Sequence, residues 1–321
     1  MLTLNRLILA LVLVASSLCA AAADFPSKPV RLVVPFAPGG PLDATARLLA
    51  TKLQETWGQP VTVENRTGAS GAVGMDYVVK SKSDGHTLLY NNGMVMTTTQ
   101  QMQRTPFDIN RDLVPVVQIL EESQVLAVNP KLGVSNMREL IELARKQPGR
   151  LNYGSGGVGS GLHLYMERVK SAAKIDITHI PYNGMAPAML ALMTGDVDMV
   201  FGVTSPMLPL IKSGKVNPLL VTGDKRLEIL PNVPTMEDII PGIGTDAGWQ
   251  GIFAPAGTPK DIVNKIASDV RAAVLSPGMS AQIREKDAKP TGLGGEQFAE
   301  LVRSDYERLG RLIREKNIRA D

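Results

Sequence analysis

Residues 30–57 read VRLVVPFAPGGPLDATARLLATKLQETW, and the change of pattern inside this stretch sets the fold class. Val30 to Pro35 is a β-branched, apolar run that favours a strand, and it breaks at Pro38, Gly39 and Gly40. From Leu42 onward the apolar positions change to helical spacing, so that Leu42, Ala46, Leu49, Leu53 and Trp57 share one face. Strand, glycine turn and amphipathic helix, in that order, make one α/β unit.

The same alternation continues along the chain. Strands are expected at Val61 to Glu64 and Thr87 to Tyr90, with a helix at Gly71 to Val79 between them. A second series starts with strand Val125 to Val128. It continues with a helix from Met137 to Lys146 that Ser135 would cap, strand Leu151 to Tyr153, helix Leu162 to Ala172 and strand Ile175 to Ile180. Helix Pro187 to Met193, strand Val197 to Phe201, helix Pro206 to Lys212 and strand Pro218 to Val221 complete it, and Pro259 to Asn317 reads as mostly helical. The pattern predicts α/β layers with largely parallel strands. Two units of similar size follow one another with no linker, repeat or low-complexity stretch between them. Tandem domains would need a linker, whereas a chain that crosses to a second domain and returns needs only two hinge strands.

The N-terminus sets the compartment. Arg6 supplies a positive start, Leu7 to Leu18 an apolar core, and Ala21, Ala22 and Ala23 a small-residue cleavage site. The apolar stretch is shorter than the roughly 20 residues of a spanning helix, so it reads as a secretory signal. A lipoprotein signal acylated at Cys19 is the rival, but Leu18 precedes it where a small residue is expected. Cys19 is the single cysteine, so a chain cleaved after residue 23 has no disulfide, thiolate nucleophile or cysteine metal site. Asp24 to Asp321 is long enough for two domains stabilised by their cores alone. Lys and Arg number 34 against 31 Asp and Glu, with no long run of either sign, and aromatic residues make up 4%. Nucleic-acid and membrane-surface binding want a concentrated basic face, and stacking wants aromatics, which leaves a small ligand.

Two glycine-rich loops follow strand ends and precede helices. In the first, Phe36-Ala37-Pro38-Gly39-Gly40-Pro41-Leu42-Asp43, the free N–H groups of the first helical turn carry the positive end of a helix dipole and suit an anion. Asp43 is a candidate N-cap there; a tight capped turn is the plain structural alternative. The second loop, Tyr153 to Gly161 (YGSGGVGSG), holds Ser155, Gly156, Gly157, Gly159 and Ser160. Its glycine content suggests backbone amides turned toward a ligand. It matches G-x-G-x-x-G at Gly154, Gly156 and Gly159, but the next strand carries Asp176 at its start and not at its end, which argues against a dinucleotide. Asn91-Asn92-Gly93 and Pro181-Tyr182-Asn183-Gly184 occupy similar places after strands, as does Thr204. Asn92, Asn183 and the Tyr182 hydroxyl are candidate orienting groups, although Asn-Gly is also a common turn former.

Catalytic signals are poor. Ser70 and Ser160 lack a nucleophile elbow, and His86, His163 and His179 show no metal-ligand spacing. Each histidine reads as structural, with His163 the one to watch because it falls in the first turn after the glycine loop. Met94, Met96 and Met102 read as core or loop filler.

Taken together, PSKPVRLVVPFAPGGPLDATARLLA, VTVENRTGASGAVG, LNYGSGGVGSGLHL, HIPYNG, GDVDMVFG and FAPAGTPKDIV resemble, in order from about Phe25 to the end, the Bug family of periplasmic solute receptors of tripartite tricarboxylate transporters. The resemblance implies a type II periplasmic-binding-protein fold, two α/β lobes joined by crossing hinge strands. Lobe 1 would comprise residues 24–124 plus 223–321, and lobe 2 residues 125–222. It implies a monomeric, non-enzymatic receptor with no cofactor or metal. Such a receptor takes a small carboxylate, a di- or tricarboxylate or an aromatic acid, between the lobes and delivers it to membrane permease subunits. A sensor for a membrane kinase, or an exported hydrolase, would be the alternative. The carboxylate would be held by backbone amides and ordered waters, at Ala37 through Asp43 on one lobe and Ser155 through Ser160 on the other, without a basic pocket. The expected ligand-binding set is Phe36, Ala37, Pro38, Gly39, Gly40, Asp43, Asn92, Gly93, Ser155, Gly156, Gly157, Gly159, Ser160, His163, Tyr182, Asn183 and Thr204. Asn183 stands where many relatives carry lysine, which leaves the far end of the ligand without an expected charge contact.

Overall fold

A computed structural model describes residues 25–182, 184–243 and 248–319. The secretory signal read at residues 1–23 and the candidate Asn183 lie outside the described residues. In chain order the elements are β1 (Val30–Val34), α1 (Pro41–Trp57), β2 (Val61–Asn65), α2 (Ala72–Val79), β3 (Thr87–Asn92), α3 (Gly93–Met102), α4 (Ile109–Asp112), β4 (Leu113–Glu122), β5 (Gln124–Val128), α5 (Met137–Lys146), β6 (Asn152–Ser155) and α6 (Gly161–Ala173). They continue with β7 (Thr178–Pro181), α7 (Met185–Thr194), β8 (Met199–Val203), α8 (Thr204–Lys212), β9 (Asn217–Val221), α9 (Met236–Ile239), β10 (Gly248–Pro255), α10 (Lys260–Leu275), α11 (Pro277–Arg284), β11 (Ala288–Pro290) and α12 (Gly295–Glu315).

These form two α/β lobes. One holds a six-stranded sheet in the order β11-β4-β10-β3-β1-β2, the other a five-stranded sheet in the order β7-β6-β8-β5-β9. Helices cover both faces of each sheet. In the first lobe Leu32, Leu49, Leu53, Tyr90 and Val270 pack on one face, and Val33, Met75, Leu89, Phe253 and Phe298 on the other. The helical face read at 42–57 is the buried one: Ala46, Leu49 and Leu53 have no exposed surface.

The expectation of largely parallel strands needs correction, because both sheets are mixed. β10 runs antiparallel between β3 and β4, and β5 runs antiparallel between β8 and β9. These are strands that carry the chain between the lobes, and a strand arriving from the other lobe enters against the direction of its neighbours. β4 leads through Ser123 straight into β5, and β10 follows the return from β9. The two crossings are bonded to each other: Thr222 N–H donates to the Gln124 carbonyl (2.9 Å), and Gln124 N–H donates to Thr222 Oγ1 (2.9 Å).

The strand β4, the helix α3 and the strands β10 and β11 are additions to the sequence reading. β4 contains Pro115, which has no N–H to give a ladder, and it is accommodated next to a register shift against β10 between Ile252 and Phe253. The helix at 137–146 is capped by Asn136, whose side chain accepts from Glu139 N–H (3.0 Å). Ser135 sits one residue further out and donates to Glu139 Oε2 instead (2.7 Å from its N–H).

Candidate functional site

A cavity of about 440 Å³ lies between the lobes. Three helices begin on it. α3 contributes Gly93, Met94 and Val95 from the first lobe; α6 contributes Gly161 and Leu162, and α7 contributes Met185, from the second. Helix starts leave N–H groups without intrahelical acceptors and carry the positive dipole end, so three of them make one anion-attracting mouth. Asn92 caps α3 by accepting from Val95 N–H (2.8 Å). Ser160 caps α6 by accepting from His163 N–H (3.4 Å). Both candidates therefore line the cavity while their side-chain oxygens shape the helix ends.

The glycine loop between β6 and α6 borders the mouth with Gly156, Val158, Gly159, Ser160 and Gly161. Its shape is fixed from behind. Ser155 is fully buried, and its Oγ accepts from Gly157 N–H (3.1 Å) and lies 2.6 Å from Nε2 of His179. Gly159 N–H donates to Nδ1 of His163 (3.0 Å). The two imidazoles stack with centroids 4.1 Å apart, and Tyr153 stacks on His179 at 4.7 Å. Burial, with the neighbouring His179, lowers the His163 pKa to about 4, and burial also lowers that of His179. Both rings are thus neutral at pH 7, as acceptance of the Gly159 N–H requires. The Ser155–His179 pair has the distance of a nucleophile and base, but with no solvent-exposed surface Ser155 serves to pin the loop.

The loop's glycines divide by cause. Gly157 (φ 127°) and Gly159 (φ 73°) occupy left-handed backbone. At Gly161 an added Cβ would lie 2.5 Å from Cγ of Met94 across the lobe boundary. Gly156 has neither constraint, since a Cβ there would make ordinary contacts of 3.4 Å and beyond.

Other candidates fall outside the cavity lining. From the first loop only Phe36 lines it; Ala37, Pro38 and Gly39 are exposed and Gly40 is half-buried. Asp43 is buried in the first turn of α1, and Gly40 holds the N-cap position expected for it. The Asp43 carboxylate reaches back to accept from Gly39 N–H (2.9 Å), Arg47 Nε (2.9 Å) and Asn65 Nδ2 (2.9 Å). The Arg47 hydrogen bond leads in holding its pKa down to about 2. Tyr182 packs behind the glycine loop, its N–H donating to the Ser155 carbonyl (3.0 Å). Thr204 is buried at the hinge, where its N–H (3.1 Å) and Oγ1 (2.9 Å) both donate to the Ser123 carbonyl.

A charged part of the cavity lining corrects the expectation of a site without basic groups. Arg168 on α6, Asp305 and Arg308 on α12, Glu122 and Gln124 on the hinge strands, Tyr165 and Trp249 all line it. Trp249 Nε1 (2.7 Å) and Arg308 (2.6 Å) donate to Asp305, and Arg168 donates to the Ile243 carbonyl. Burial, with Arg308 nearby, lowers the Arg168 pKa to about 10. Burial pushes the Glu122 carboxyl up to about 7. These residues carry no motif, because a helix pattern reveals the apolar face and not which polar position meets a cavity. Among the described residues no cluster of three or more His, Cys, Asp or Glu could hold a metal, and no helix is long and apolar enough to cross a membrane.

Comparison with known proteins agrees with this architecture. Residues 45–318 match the family described as the tripartite tricarboxylate transporter family receptor. The chain is 31% identical to the protein BugT of Bordetella pertussis over 293 residues, 91% of this chain and 90% of BugT. The structure of Rpa4515 from R. palustris with adipate is similar at a TM-score of 0.80 and 34% identity, covering 92% of this chain and 99% of that one. MatC from Rhodopseudomonas palustris with bound malate is similar at 0.76 and 28% identity, covering 90% and 100%. A two-lobed α/β fold closing on one cavity, and a family match along most of its length, place this chain in the tripartite tricarboxylate transporter receptor family.

Proposed function

We propose that this protein is a periplasmic receptor that captures a small carboxylate between its lobes and hands it to the permease subunits of a tripartite tricarboxylate transporter. It acts as a monomer, without cofactor and without catalysis, after export directed by residues 1–23. Its lobes are residues 24–124 plus 223–321 and residues 125–222. The observation that carries this reading is the meeting of helix N-termini from both lobes on one cavity. An acid group at the mouth satisfies N–H groups on both sides at once, so binding favours the closed arrangement. Adipate on Rpa4515 and malate on MatC support the ligand class.

A thermal-shift panel tests it. Mono-, di- and tricarboxylates, aromatic acids and uncharged sugars are offered to ligand-free protein. At least one carboxylate is expected to raise the Tm in a concentration-dependent way. A panel in which a sugar does so and every acid fails would overturn the reading.

A further inference from the structure

The cavity has a second chemistry away from the three helix starts, where α6, α12 and the hinge strands line it. Among the described residues lining it, four carry charge, Glu122, Arg168, Asp305 and Arg308, two of each sign. Asp305 accepts hydrogen bonds from the Trp249 indole and the Arg308 guanidinium. Glu122 is placed differently. Its carboxylate accepts from the Gln250 amide (3.3 Å), whose oxygen in turn accepts from the buried Tyr90 hydroxyl (2.6 Å). Tyr165 on α6 stands among these groups, close enough to feel Asp305, Arg168, Arg308 and Glu122. On the β11 side Lys289 turns to Glu121 (3.1 Å), not to Glu122.

We propose that this end is a second acid-binding subsite, where Arg168 and Arg308 face the far carboxylate of a diacid and Glu122 takes up one proton as that carboxylate enters. The inference rests on the carboxylate-receptor reading and adds the far end to it. Arg168 lies six residues along α6 from Leu162 at the mouth, roughly 9 Å of helix rise, and its side chain leans back toward the helix start. Mouth amides and guanidinium groups therefore frame the two ends of a short diacid. Above about pH 7, where Glu122 is ionised, the wall is balanced, and a second ligand carboxylate brings one negative charge into it. A proton from solvent on Glu122 restores the balance, and no covalent bond changes. Glu122 is the acid whose burial already favours its neutral form. Once protonated, it also becomes a hydrogen-bond donor.

Isothermal titration calorimetry on the whole protein separates the outcomes, using adipate against hexanoate and terephthalate against benzoate from pH 6 to 8.5 in buffers of different ionisation heat. In at least one pair the diacid is expected to bind at least tenfold tighter than its monoacid. Its binding should take up as much as one proton, and its advantage should fall by about tenfold per pH unit above pH 7. Glu122→Gln should abolish proton uptake and flatten the diacid's pH profile. Arg308→Lys, which keeps the charge, should lose less of the diacid preference than Arg308→Gln, with folding checked by Tm. Diacid and monoacid binding equally in both pairs, or a diacid affinity without pH dependence in the unaltered protein, overturns the subsite and leaves the receptor reading standing. Failure of every acid to bind overturns both.

Discussion

Glu122 and His163 make opposite demands on the solution. The His163 ring must stay neutral to accept the Gly159 N–H, and its pKa is lowered from 6.5 to about 4. The unfolded chain therefore takes up a proton that the folded chain refuses, and stability falls as pH drops from 6.5 toward 4. Glu122, raised from 4.5 to about 7, holds its proton in the folded state, so its contribution is present below pH 4.5 and is lost as pH rises through about 7. Each is worth about 3 kcal/mol across its window. They oppose each other between pH 4.5 and 6.5, so each is read as a difference from its own variant. His163→Asn supplies an amide oxygen near the Nδ1 position without titrating, and its urea-unfolding free energy should gain on the unaltered protein as pH falls from 6.5 to 4. Glu122→Gln should gain on it as pH rises from 4.5 to 7.5. A constant difference across either window would refute the corresponding assignment. Neither role was legible in the sequence: His163 stood out only for its place after the glycine loop, and Glu122 ends an apolar run with nothing to mark it.

The strand-turn-helix units were readable because β-branched runs, glycine turns and helical spacing each leave a local pattern, as residues 30–57 do. What stayed hidden was decided elsewhere in the chain. β4 carries a proline and no alternation, so only its partners β10 and β11 reveal it as a strand. α3 begins at an Asn-Asn-Gly sequence that locally favours a turn, and it becomes a helix because Asn92 caps it and Met96 and Met102 pack into cores. φ and close packing account for glycine at Gly157, Gly159 and Gly161 and leave Gly156 without such a cause. Two substitutions separate these causes. At Gly93 an added Cβ would sit 2.3 Å from the Trp249 ring, so Gly93→Ala should lower stability by about 1 to 3 kcal/mol in chemical unfolding. Gly156→Ala meets no contact under 3.4 Å, so it should keep the Tm within a few degrees while weakening acid binding measured by calorimetry. Unchanged acid affinity in Gly156→Ala would move the ligand away from this loop.

At the level of the whole molecule, the lobes touch where Gly161 of α6 admits Met94 of α3, and again where Met102, Leu164, Leu312 and Ile313 share a small core. Gly161→Val puts a branched side chain into the first contact, at an overpacking cost of about 1 to 3 kcal/mol charged to this arrangement of the lobes. The expected outcome is a larger radius of gyration in small-angle scattering and an acid affinity weaker by roughly tenfold, since about 1.4 kcal/mol is one decade. An unaltered scattering curve with unaltered affinity would show that Met94 yields instead. The fold class was legible from the sequence because strand and helix patterns alternate; the absent linker left crossing strands open, and the family resemblance implied them. How those strands are tied was not. Thr222 bonds one crossing to the other at Gln124, and Thr204 clasps Ser123 between β4 and β5. Sewn together in this way, the crossings work as the spine of a book and not as a ball joint. Pages so bound would open and shut along one arc, so, on the proposed receptor reading, acids of different length would present the same cover.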